Sequence, residues 1–178
     1  MTSNRFDQCI GFLNELNAKD VQFFERDLLD HLKGTYNVLR QWQASDDLAF
    51  AGLFHAIYLT DFFKCNDPTP GNRERVRQVV GANAELIAYR YCVMNRREFI
   101  ERKPSATCEF EDTFTSVSAK LTKDEDRDVA ELIWANAIEQ LEKDTPPFEA
   151  RKATQPLFEG SRDRVGQHAL ACYLTLYR

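Results

Sequence analysis

Two histidines, His31 and His55, lie 24 residues apart in the stretches DLLDHLKGTYNVLRQW and LAFAGLFHAIYLTDFF, each on the apolar side of a helical pattern. A buried imidazole is either a hydrogen-bonded core group or a ring nitrogen offered to a proton or a transition metal. Two imidazoles turned toward one interior could do the second together. The third histidine, His168, falls in the last helical pattern and reads as structural.

The elements that must position this pair read as helices almost throughout. The first starts near Ser3, with Ile10, Phe12, Leu13 and Leu16 as its apolar stripe. A second runs from about Asp20 to Trp42 and sets Phe24, Leu28, His31, Thr35, Val38 and Trp42 on one side. The third, from about Asp46 to Phe63, groups Leu48, Ala51, His55, Tyr58, Leu59 and Phe62. CNDPTPGN is a loop by its turn formers, and Gly81 divides NRERVRQVVG from ANAELIAYRYCVMNRREF. The Ser/Thr-rich stretch ending at Leu121 could hold a short hairpin, around residues 105–121, and any strand content should be confined there. Thr122-Lys123-Asp124-Glu125 is a capping box that opens a helix to about Glu142, with Glu131 inside its apolar segment VAELIWANAI or at the edge. Pro146-Pro147 then breaks the chain before two shorter helices, about Phe148–Phe158 and Ser161–Tyr177.

Composition sets the class. With 178 residues, 43% hydrophobic and 12% aromatic, the chain suits one core and one all-α domain over 1–178, its central bundle spanning about 20–142. The net charge of -5, with no dense run of Lys or Arg, argues against a nucleic-acid partner. Five scattered cysteines without metal spacing read as free thiols in a reducing cytoplasm. No stretch approaches the roughly 18 apolar residues of a membrane span. A cytoplasmic protein acting on a small molecule is expected, with neither nucleic acid nor membrane as partner.

The order of Arg26, His31, the run AGLFHA, Asp61, VVGANAELI and AELIWAN resembles the HD-domain superfamily of metal phosphohydrolases. The closest variant is the HD domain of alarmone hydrolases. The likeness covers about Asp20 to Glu142. The chain is also similar to an uncharacterised HD-related family reading HLxGTyxxLxxW and AGLFHSxYGT, which it matches with HLKGTYNVLRQW and AGLFHAIYLT. The chain departs from the HD pattern at Ala56, where that superfamily carries a metal-binding aspartate.

The resemblance implies His31, His55 and Glu131 as ligands of a single divalent transition metal, manganese or iron, with Asn136 as a substitute for Glu131. It implies Asp61 as the residue orienting attacking water and Arg26 as a catalytic phosphate clamp, ahead of the Arg73–Arg77 cluster. Tyr36 and Tyr58 would face the substrate. Loss of the aspartate argues against a two-metal site, because Ala56 has no lone pair to bridge a second ion. Three classes follow: a divergent metal-dependent hydrolase of a small phosphorylated or nucleotide substrate, a mononuclear-iron oxidative enzyme using two histidines and one carboxylate, and a non-catalytic binding protein.

Overall fold

A computed structural model describes residues 2–58, 67–101, 108–143 and 148–176. These are mostly helical: α1 (Thr2–Glu15), α2 (Leu28–Gln41), α3 (Asp46–Phe54), α4 (Pro70–Val80), α5 (Ala82–Val93), α6 (Arg96–Glu101), α7 (Lys123–Lys143), α8 (Phe148–Gly160) and α9 (Gln167–Leu176). Two small antiparallel pairs accompany them, β1 (Gln22–Phe23) with β2 (Arg26–Asp27) and β3 (Cys108–Asp112) with β4 (Val117–Leu121). The second pair lies in the Ser/Thr-rich stretch where strand content is expected. The first does not.

That first pair corrects the start of the histidine-bearing helix. Phe24 turns the chain at φ +50°, and Asp27 then caps α2 by accepting the Asp30 N–H at 2.8 Å, so the helix begins at Leu28 and not near Asp20. Arg26 therefore precedes this helix. The third helix is also shorter than its pattern: Ser45 caps its start, accepting from the Leu48 N–H at 3.1 Å, and His55 caps its end. Asp61 lies outside the described residues.

Other boundaries follow local chemistry. Thr69 caps α4 with Pro70 at its first turn, and Gly81, at φ +88°, closes α4 and opens α5. The run from Ala82 breaks at Met94, whose extended backbone separates α5 from the short α6. At α7 the capping box forms in both directions, Glu125 accepting the Thr122 N–H at 2.8 Å and Thr122 accepting the Glu125 N–H at 3.3 Å. The final helix begins at Gln167, later than expected, because a 3-10 turn over Arg162–Arg164 intervenes. Arg164 anchors that turn through a two-point ion pair with Asp126 on α7.

The core lies where α2, α3, α5 and α7 pack together. Every residue from Leu48 to Phe54 on α3 is buried, so this short helix is the centre around which the others close. Gly52 lets α2 approach it, since a Cβ there would sit 2.6 Å from Leu39 Cδ1. Among the described residues no helix is long and apolar enough to cross a membrane.

Candidate functional site

The two histidines meet. His31 on α2 and His55 at the end of α3 are 2% and 4% exposed, and their Nε2 atoms lie 3.1 Å apart with the rings nearly perpendicular. The other side of each ring is engaged. His55 Nδ1 donates to the Gly52 carbonyl at 2.7 Å, and His31 Nδ1 donates to Glu139 Oε2 at 2.5 Å. Glu139, on α7 and 1% exposed, also receives a two-point ion pair from Arg26, with Nη2 to Oε2 at 2.8 Å and Nη1 to Oε1. Phe23 stacks on the His31 ring at 4.1 Å, so the β1–β2 turn delivers both the arginine and the ring that hold this assembly.

Glycine at position 34 makes room for the carboxylate. A Cβ there would lie 2.7 Å from Glu139 Cδ and 2.8 Å from Cγ, inside van der Waals contact. Glycine within a helix costs about 1 kcal/mol relative to alanine. The cost is offset here by the approach of α7 to α2 that it permits.

Hydrogen-bond accounting defines the charge of the pair. A carbonyl only accepts, so His55 carries its proton on Nδ1 and turns a bare Nε2 lone pair toward His31. Burial, then the neighbouring His31 charge, lowers the His55 pKa to about 3, which keeps it neutral. Hydrogen bonds from His31 and Arg26 outweigh the opposing effect of burial and lower the pKa of Glu139, so it is a carboxylate and His31 must donate to it from Nδ1. A neutral His31 would then set a second lone pair against the first. Something electrophilic belongs between the two Nε2 atoms, either a second proton on His31 or a metal ion.

The donor set can be tested against a metal. Two nitrogens about 2.0–2.1 Å from a tetrahedral ion are about 3.3 Å apart, close to the separation here. Ligating histidines usually donate their other ring nitrogen to a carboxylate or backbone carbonyl, as both do in this protein. Among the described residues, however, no cluster of three or more His, Cys, Asp or Glu side chains is arranged to hold an ion. The arrangement fits an ion held by two imidazoles and does not fit the three-ligand set read from the sequence.

Glu131 is the residue that departs. It lies two turns before Glu139 on α7, where its Oε1 accepts the Gly166 N–H at 2.8 Å and ties down the start of α9. Asn136, the substitute, does line the cavity beside the histidines, bonded to Gln140 at 3.0 Å. Arg26 is committed to Glu139 and not available as the expected phosphate clamp. Tyr58 lines the cavity, but its hydroxyl donates to Glu85 at 3.0 Å. Tyr36 packs between Phe6 and Phe50, facing α1. In the Arg73–Arg77 cluster, Arg73 and Arg77 bond the fully buried Glu85, while Arg75 is exposed beside Glu15.

The cavity measures about 360 Å³ and opens beside the histidine pair, walled by Phe23, Tyr91, Cys92 and Arg96 among others. Burial raises the Tyr91 and Cys92 pKa values to about 12 each, so neither supplies an anion near neutrality. Sequence reasoning missed Glu139 and Arg96. The mid-helix Gly34 was the available signal for the first.

Residues 12–96 match a family model described as a domain of unknown function (DUF6817). That span takes in Arg26, both histidines and Arg96, and leaves Glu139 outside. Searches of curated proteins and of solved structures return no match.

Proposed function

We propose that the histidine cavity is a divergent HD-type hydrolytic site for a small phosphorylated or nucleotide substrate, using one divalent transition metal, manganese or iron, held by Nε2 of His31 and His55. The observation that carries this reading is the pair of facing Nε2 atoms, each ring having its opposite nitrogen hydrogen-bonded to an acceptor. When bound, such an ion polarises a phosphoryl oxygen and makes water a nucleophile near neutral pH. The chain's part is to keep both rings in the ligating tautomer: Gly52 fixes His55, and Arg26 holds the carboxylate that fixes His31. Asn136 and Gln140 add amide groups on the α7 side of the cavity, able to bond a substrate oxygen or a water.

Protein supplied with manganese or ferrous iron should retain the ion and release phosphate from at least one member of a panel of nucleotides and phosphomonoesters. The His31→Ala, His55→Ala double variant should lose both properties. Equal ion content in the two proteins overturns the reading.

A second reading, a binding pocket without catalysis, is favoured by Ala56 and by the displacement of Glu131 onto Gly166. It predicts ligand retention without ion or turnover. The same displacement weighs against the oxidative iron enzyme, whose two-histidine, one-carboxylate set needs Glu131 at the histidines.

A further inference from the structure

Acidic residues number 28 in this chain, yet among the described residues none lines the histidine cavity. Its wall contains one arginine, Arg96. The other arginines near the site are engaged in ion pairs: Arg26 with Glu139, Arg73 with Glu85, and Arg77 with Glu85 and Glu74. Arg96 forms no ion pair among the described residues. Its Nη1 donates at 3.3 Å to the Tyr91 carbonyl and its guanidinium lies 4.9 Å from the Tyr91 ring, contacts that aim the group without cancelling its charge. A guanidinium held over an aromatic face with free N–H donors is suited to a planar or tetrahedral oxyanion.

Arg96 also belongs to a second cavity. This one measures about 770 Å³ and shares Met94 and Arg96 with the first; Ile100, Pro156 and Leu157 give it an apolar side, and Asn95 with the Arg97–Glu101 ion pair gives it a polar one. The two spaces therefore adjoin at the guanidinium, one reaching the histidines and the other reaching Ile100 on α6 and Pro156 and Leu157 on α8.

We propose that Arg96 is the substrate-binding residue for the anionic group, and that the ligand is a phosphate monoester whose phosphate lies between Arg96 and the histidine pair and whose apolar organic group lies against Ile100 and Leu157. The choice of phosphate over another oxyanion rests on the hydrolase reading above. The placement of an anion at Arg96 rests on the charge of the histidine cavity and on the way the two cavities adjoin.

Isothermal titration of the full chain in excess chelator, with inorganic phosphate and with phenyl phosphate as probes, tests this. The wild-type protein should bind both, phenyl phosphate about tenfold tighter, which corresponds to about 1.4 kcal/mol. Arg96→Gln should weaken both at least tenfold, and Leu157→Asn should remove only the preference for the phenyl group. Arg127→Gln, at an exposed arginine on α7 that pairs with Asp124 and lines neither cavity, should bind as wild type. Arg96 is exposed, so its variant should fold, and an unchanged melting temperature checks that. Wild-type affinity in Arg96→Gln, or no binding of either probe by the wild-type protein, overturns the proposal. Since no metal is present, Arg96-dependent binding in a protein that neither retains an ion nor turns over supports this inference while removing the hydrolase reading.

Discussion

Glu85 and Glu139 are buried glutamates on neighbouring helices, and their networks end differently. Glu85 on α5 is fully buried and bonded by Arg73 at 2.7 and 3.0 Å, Arg77 at 2.9 Å and the Tyr58 hydroxyl at 3.0 Å. Those donors converge on the one carboxylate, with Arg77 also 3.8 Å from Glu74 and Arg73 covered by the Tyr89 ring at 3.5 Å. Glu139 on α7 is as deeply buried, but its network continues through His31 to a nitrogen–nitrogen contact at a cavity wall. A closed network fixes helices against one another. An open one hands its last atom to a ligand, and the difference can be probed by cutting each at its carboxylate.

The largest effect should come from the closed network. Glu85→Ala leaves two guanidinium groups and a buried hydroxyl without their shared acceptor, and breaking a buried ion pair in this way costs about 3–5 kcal/mol. Urea denaturation should show that loss. The histidine ring signals in NMR spectra should stay where they are in the wild-type protein, because Glu85 reaches the cavity only through Tyr58. Shifted histidine signals would mean that the two networks are coupled and that the contrast between them fails.

The second cut acts on the open network without touching any of its polar atoms. Gly34→Ala places a methyl group against Glu139, and overpacking of this kind costs about 1–3 kcal/mol, while alanine returns about 1 kcal/mol of helix propensity. The clash should win, leaving a net loss of about 1–2 kcal/mol and displaced His31 signals. Gly52→Ala crowds Leu39 and leaves Glu139 alone, so it should destabilise with the His31–Glu139 contact intact. Identical histidine spectra for the two variants would mean that Gly34 is spacing helices and not seating the carboxylate.

How legible these networks were depends on sequence separation. Helices announced themselves through the capping box at Thr122, the break at Gly81 and the apolar stripes, and the stripes also turned His31 and His55 to one interior. The turn at Phe24 was not readable, because Phe24 fits the apolar face of an extended α2 pattern and only its positive φ removes it from the helix. Glu139 was hidden for another reason. VAELIWANAI is apolar nearly all round, so its pattern cannot say which acid of α7 turns toward α2, and Glu131 was the acid within that run. The contact that decides it joins residues 108 apart in the chain. Local rules do not reach that far, but a glycine inside a strong helix pattern marks where something from elsewhere must fit.

The smallest effect per step separates the networks by pH. In an unfolded chain His55 would take a proton near pH 6.5, whereas in the folded protein burial and the His31 charge delay this to about 3. Between those values the unfolded state binds more protons, so stability is complete above about pH 6.5 and falls as pH drops, by about 1 kcal/mol per unit. Glu139 acts in the same direction at lower pH. Its folded pKa is depressed, so its contribution is present above the ordinary carboxylate range and disappears as pH falls through the depressed value. His55→Asn removes the titrating ring and should flatten the dependence of the denaturation midpoint between pH 6.5 and 5. Glu85→Ala should keep the wild-type slope from a lower starting stability. Parallel slopes for wild type and His55→Asn would mean that the acid sensitivity arises elsewhere, and the neutral, lone-pair-forward His55 on which the open network depends would have to be abandoned.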